Sequence, residues 1–200
     1  MNQKIILLSS LLLAHSLLFI SFVHYPETFW PVFTITLSIL IFNSITTGSL
    51  VFKKITSTDT VYIVASAIFL YLLSYVGIQL IQWLTPSLFE DMEQFYDIVQ
   101  PAKAWHYISL VLIVIPGEEI YWRGYIQQQF KKYKKGDTII IATLLYAVAH
   151  LYSGAPLLIV AALVGGVIWG WIYEKRGNFW VPLLSHILYD LLILVFIPLL

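Results

Sequence analysis

Seven stretches of this chain approach or exceed the run of about 20 mainly apolar residues that a helix needs to cross a hydrocarbon layer. They are 4–23, 29–52, 61–84, 105–130, 138–153, 156–174 and 180–200. No soluble domain of appreciable length is left between them. The expected fold is therefore all-α, a polytopic membrane helix bundle of about seven transmembrane helices. Composition agrees: 11% of residues are charged and mean hydropathy is +0.84, whereas soluble domains carry about a quarter charged residues. The apolar run after Lys4 could pass for a secretory leader, but it continues to Val23 with no small-residue cleavage pattern, so it is expected to stay as a first span.

Charge placement tests this count independently, because Lys and Arg gather in connections on the cytoplasmic side. Lys4, then Lys53 and Lys54, then Lys131, Lys132, Lys134 and Lys135, then Lys175 and Arg176 fall in the N-terminus and in alternate connections. Seven spans put all of these on one side, with the N-terminus cytoplasmic. The opposite connections hold His24 to Glu27, the acidic run Glu90, Asp91, Glu93 and Asp97 with Lys103, and Ser153 to Pro156. Between Thr85 and Ala104, Leu88, Met92, Phe95 and Ile98 recur at helical spacing, which suits an amphipathic interfacial helix or a long loop with one helical turn. Trp30, Trp83, Trp105 and Trp180 stand near span ends as interfacial anchors, and His106 is read the same way. Gly165, Gly166 and Gly170 put small residues where two helices can approach closely. The cell membrane is the expected location. There is no cysteine, which removes disulfides, thiolate metal sites and a thiol nucleophile. No basic patch suggests nucleic-acid binding.

The fourth span carries the sequence's most costly feature. Pro116-Gly117-Glu118-Glu119-Ile120-Tyr121-Trp122-Arg123-Gly124 places three charges within six residues, and each costs at least roughly 2.5–3.5 kcal/mol at the centre of a bilayer, so a functional site is the default expectation. Glu119 and Arg123 are four apart with the acid first, the favourable order for an ion pair. Glu118 points about 100° away and needs another partner. His150, His186 and Asp190 are the other ionisable residues that span boundaries do not excuse; His15, alone in the first span, is assigned no role. Glu118 is thirteen residues from Lys131 and His150 thirteen from Asp137, roughly 20 Å each at 1.5 Å per residue. Asp190 is twelve residues from Asn178, roughly 18 Å on the same rise. Three helices thus offer polar groups at a common depth. They form either a buried polar lock between helices or a catalytic pocket, and the number of acids and imidazoles at one level favours the pocket.

Glu118-Glu119-x-x-x-Arg123, Tyr146-x-x-x-His150 and His186-x-x-x-Asp190, in that order, resemble the three motifs of the CPBP family, the CAAX proteases and bacteriocin-processing enzymes also called Abi proteins. The resemblance covers roughly residues 105–195. It divides the single membrane domain into N-terminal helices and an outer connection (1–104) and a catalytic bundle (105–200). Tyr146 stands where phenylalanine is usual, and Asp190 where asparagine is frequent. An ionised Asp cannot donate to an oxyanion as an amide does, although a protonated one can. The resemblance implies an intramembrane endopeptidase acting on a membrane-bound or hydrophobic peptide. Glu118 would activate water with His150, His186 and Asp190 would stabilise the oxyanion, and Glu119 with Arg123 would hold the architecture or bind a substrate carboxylate. A metal-free glutamate mechanism with no cofactor is preferred. The alternative is zinc held by Glu118, His150 and His186, although no His-Glu-x-x-His element is present. A non-enzymatic immunity or scaffold protein is the other reading.

Overall fold

The computed structural model describes residues 3–45, 50–131 and 134–200; Lys132 and the 46–49 part of the second expected span lie outside them. Among the described residues the regular structure is entirely helical. A helix satisfies its backbone polar groups within itself, which hydrocarbon demands of any spanning segment. The helices are α1 (Gln3–His24), α2 (Pro26–Ile45), α3 (Ser57–Leu84), α4 (Pro86–Val99), α5 (Ala104–Gln129), α6 (Lys135–Ser153), α7 (Pro156–Arg176) and α8 (Trp180–Phe196). The chain is a multi-pass integral membrane protein.

By length and apolar composition, five of these helices, or six spans if one bent pair counts as one, can cross a membrane, against about seven expected. Helices α1, α2, α3, α6 and α7 are each long and apolar enough to cross a membrane. Helices α4 and α5 pass only together, and a 93° bend separates them. Glu118, Glu119 and Arg123 in the middle of α5 keep its hydropathy down. Helix α8 is apolar but short, because its regular structure ends at Phe196 and not at residue 200. The second expected span is also shortened. Residues 50–56 are not helical; instead Phe179 N–H donates to Val51 O (2.8 Å), and Asn178 pairs with the Lys53 backbone at 3.1 and 3.3 Å.

Helix α5 is central. Its buried face, from Leu110 to Ile126, packs with Ala14 and Leu18 of α1, Phe33 to Leu40 of α2, Tyr146 and Ala149 of α6 and Leu183 of α8 in one apolar core. Helix α3 closes the opposite flank, with Ile63, Ala67 and Leu70 against Trp169 and Ile172 of α7 and Val181 and Tyr189 of α8. A capping box starts α3: Thr56 Oγ1 accepts from Asp59 N–H (3.2 Å), and the Asp59 carboxylate accepts from Thr56 N–H (2.9 Å). The other Asp59 oxygen takes the Arg176 Nε–H at 2.7 Å, tying the start of α3 to the end of α7.

The glycines of α7 serve packing. A Cβ on Gly166 would lie 2.8 Å from Thr143 of α6, and one on Gly170 would lie 3.1 Å from Gln127 of α5. Trp83 is 79% exposed and Trp105 and Trp180 are also exposed, as lipid-facing anchors would be. Trp30 is not: it is 6% exposed and stacks on buried His106, with ring centroids 4.7 Å apart and planes 8° from parallel. Both residues therefore pack inside the bundle. The connection after α3 forms a helix, α4, with Met92 buried and Glu90, Asp91, Glu93 and Asp97 exposed.

Candidate active site

The middle of α5 is not a regular α-helix. Wide π-helical turns at Leu110–Val114 and Ile120–Ile126 flank the α-helical Ile115–Glu119. Pro116 lies in that short segment and has no N–H to give to the preceding turn; π-turns of this kind recur at functional sites. Gly117 lets α2 approach, since a Cβ there would sit 2.9 Å from Leu37 Cβ.

The two adjacent carboxylates then go separate ways. Glu118 Oε2 accepts a hydrogen bond from the Tyr146 phenol at 2.8 Å. Its Oε1 is 3.8 Å from His150 Nε2, and Oε2 is 4.0 Å from His186 Nε2. Glu119 is fully buried, with Oε1 2.9 Å from His186 Nδ1 and 3.0 Å from Arg123 Nη1. The Arg123 contact is close but misaligned: neither Nη atom makes a hydrogen bond, so charge attraction joins the pair. The guanidinium instead lies over two rings, 4.6 Å from the Tyr146 centroid and 5.3 Å from that of Trp169.

Both imidazoles are tethered at Nδ1 and leave Nε2 facing Glu118. His150 Nδ1 lies 2.8 Å from the Tyr146 carbonyl oxygen, which can only accept, so Nδ1 carries a proton. His186 Nδ1 likewise faces a carboxylate. Asp190 Oδ1 is 3.7 Å from His186 Nε2. His150 can face inward because the last turn of α6 tightens to a 3₁₀ turn, His150–Ser153, closed by Gly154 with φ +67°.

Glu118, His150, His186 and Asp190 line the inner end of a cavity of about 200 Å³ whose other walls are nearly all apolar. Those walls include Phe22, Phe33, Ile78, Phe95, Leu110 and Leu157. They come from the ends of α1, α3 and α8, the starts of α2, α5 and α7, and α4. The cavity therefore extends toward the end of the bundle opposite Lys53, Lys134, Lys135, Lys175 and Arg176. Glu119 and Arg123 are absent from its walls; they sit behind His186. Of the pair, Glu119 is the one that contacts the imidazole.

Among the described residues no group of three or more His, Asp or Glu side chains is arranged to hold a metal ion. The Tyr146 phenol occupies Glu118 Oε2, which leaves Oε1 as the oxygen of that carboxylate facing His150. Sequence reasoning missed two residues against the site. Trp169 stacks on His186, and Ser185 accepts from the Trp169 Nε1–H at 3.0 Å. No ionisable group marks either one. The only sequence clue to Trp169 is its position four residues after Gly165, which clears space for it.

An all-helical membrane bundle with paired carboxylates and two imidazoles buried at the end of an apolar cavity defines a class: a membrane protein equipped for polar chemistry inside the bilayer. Residues 100–192 match the family model described as Type II CAAX prenyl endopeptidase Rce1-like, which belongs to the CPBP family of intramembrane proteases. The likeness to that family rests on this segment, which is a little under half of the chain. Neither the curated proteins nor the solved structures gave a match to the chain.

Proposed function

We propose that the protein is a metal-free intramembrane endopeptidase that cleaves a membrane-associated or lipid-modified peptide, with Glu118 as general base. One observation carries this reading. Two Nε2 atoms, each on an imidazole tethered at Nδ1, face one carboxylate at the closed end of an apolar cavity. A polar lock between helices would pair these atoms directly; here they stand 3.8 and 4.0 Å from Glu118.

The gap between Glu118 Oε1 and His150 Nε2 suits one water, about 2.8 Å from each acceptor. The water oxygen attacks the scissile carbonyl carbon as its proton passes to Glu118, and His150 orients the water through its Nε2 lone pair. His186, in its imidazolium form with Nδ1–H held by Glu119, presents Nε2–H to the oxyanion, and Asp190 beside it balances that charge. A donor so placed is typically worth about 3–4 kcal/mol of barrier. Glu118 then gives its proton to the departing amine nitrogen as the C–N bond breaks. The apolar cavity holds the hydrophobic part of the substrate, in keeping with the prenyl endopeptidase description of the matched family.

The test is cleavage of a library of quenched-fluorescent peptides, lipid-modified and unmodified, by protein reconstituted in liposomes. The wild type cleaves, and Glu118→Gln and His150→Ala lose about 10³-fold or more while inserting normally. Cleavage by Glu118→Gln at the wild-type rate overturns the mechanism.

A further inference from the structure

We propose that Trp169 is a positioning residue for catalysis: its indole face fixes the ring plane of His186, so that Nε2 points at the substrate and not elsewhere in the cavity. The proposal rests on the endopeptidase reading above. It starts from a gap in the restraints on His186. The hydrogen bond from Nδ1 to Glu119 Oε1, 2.9 Å long, fixes one ring atom. An imidazole tied at Cγ by its own side chain and at Nδ1 by this bond can still tilt as χ1 and χ2 change together, and Nε2, on the far side of the ring, moves most.

The second restraint is the indole. The Trp169 and His186 rings stack with centroids 3.9 Å apart and planes 19° from parallel. Stacking at that separation blocks the swing, because tilting drives one ring edge into the other. The indole is in turn fixed in three ways. Its Nε1–H donates to Ser185 Oγ at 3.0 Å, and Ser185 Oγ lies 2.6 Å from Ser66 Oγ of α3. Arg123, which also attracts Glu119, lies 5.3 Å from its ring centroid. Gly165, one turn earlier on α7, supplies the space: a Cβ there would come within 2.6 Å of Trp169 Cζ3. Trp169 is 2% exposed and contributes to the cavity wall beside His186. The ring therefore serves the imidazole as well as the core. An indole face also supports positive charge, which suits an imidazole acting as a cation opposite an oxyanion.

A merely space-filling tryptophan and a positioning one differ in what replaces them. Trp169→Phe keeps a ring face and loses the Nε1–H; Trp169→Leu keeps apolar bulk and loses the face. In liposome cleavage assays, Trp169→Leu lowers kcat about 10-fold or more with KM within about twofold of wild type, and Trp169→Phe recovers most of the loss. Gly165→Ala, which displaces the indole without removing it, lowers kcat in the same way and stands in if the leucine variant fails to fold. A second readout needs no turnover. In histidine-labelled protein, the His186 ring protons, assigned by their loss in His186→Gln, resonate upfield under the indole ring current and return downfield in Trp169→Leu or Gly165→Ala. Equal kcat in the Leu and Phe variants, or His186 protons that do not move, overturns the proposal. An upfield His186 in a wild type that cleaves nothing leaves the positioning intact and overturns the endopeptidase reading.

Discussion

Tyr146→Phe removes one oxygen from the site and leaves the rest of its geometry in place. The ring stays under Arg123, 4.6 Å away, and against His150, with centroids 4.5 Å apart. What is lost is the 2.8 Å hydrogen bond to Glu118 Oε2. A hydrogen bond to a charged group contributes about 1.5–3 kcal/mol net. The lower end applies here, because Glu118 borders the cavity, its side chain is 11% exposed, and water can take the place of the phenol. If the bond holds the carboxylate in its working orientation, its loss raises the barrier by about 1.5 kcal/mol and lowers kcat roughly 10-fold, since each 1.36 kcal/mol is a factor of ten. KM stays nearly constant, as the phenol is buried behind the carboxylate. The assay is steady-state cleavage in liposomes, with thermal unfolding as the control. A loss beyond about 10³-fold would make the phenol a proton donor in the reaction and refute this account. An unchanged kcat would show that the bond does not orient Glu118.

Arg123→Met leaves the fully buried Glu119 without its guanidinium partner and is expected to destabilise the protein by about 3–5 kcal/mol; adding Glu119→Gln recovers most of that in thermal unfolding but not the activity, because the amide oxygen still accepts from His186 Nδ1–H but supplies no negative charge to hold the imidazolium. No recovery in the double variant would show that Arg123 stabilises by packing on Tyr146 and Trp169 alone. Gly166→Ala brings a Cβ to 2.8 Å from Thr143 and is expected to cost about 1–3 kcal/mol by overpacking the α6–α7 contact, a loss that a simultaneous Thr143→Ala should relieve. Prolonged chelation leaves cleavage unchanged, and elemental analysis of active protein finds no stoichiometric zinc; activity lost to a chelator and restored by zinc would reinstate the metal reading.

Much of the site's meeting point was legible because helix rise is a near-constant. Counting residues from the basic ends brought Glu118, His150 and Asp190 to a common level, and the i,i+4 spacing of Glu119 and Arg123 anticipated their contact. What counting could not supply was rotation. The π-turns flanking Ile115–Glu119 change the angular phase of α5, so the direction of each carboxylate comes from the folded backbone and not from a helical wheel. Long-range packing was equally hidden. Trp30 carries the signature of an interfacial anchor, yet it is buried against His106, because α4 and α5 fold back over the start of α2. The non-helical run 50–56 is held by backbone pairing between Val51 and Phe179, residues 128 positions apart by number; no local pattern announces that.

The adjacency of Glu118 and Glu119 then acquires a physical reason. Two carboxylates side by side in a bilayer interior repel each other and each needs a counterpart, so a fold that keeps both must give them different surroundings. Glu119 is surrounded by protein: Arg123 and His186 share its Oε1, and no solvent reaches it. Its energy therefore depends on partners that are fixed, and it can hold an imidazole without itself reacting. Glu118 has a neutral donor on one oxygen and a gap to His150 on the other. It is the only one of the two that borders the cavity, which is why the proposed mechanism gives it the proton. Exchanging the environments by rotating α5 one residue would bury the proposed base and expose its neighbour. The wide turns on either side of Ile115–Glu119 set that rotation, which ties the geometry of the α5 backbone directly to the division of labour between neighbouring acids.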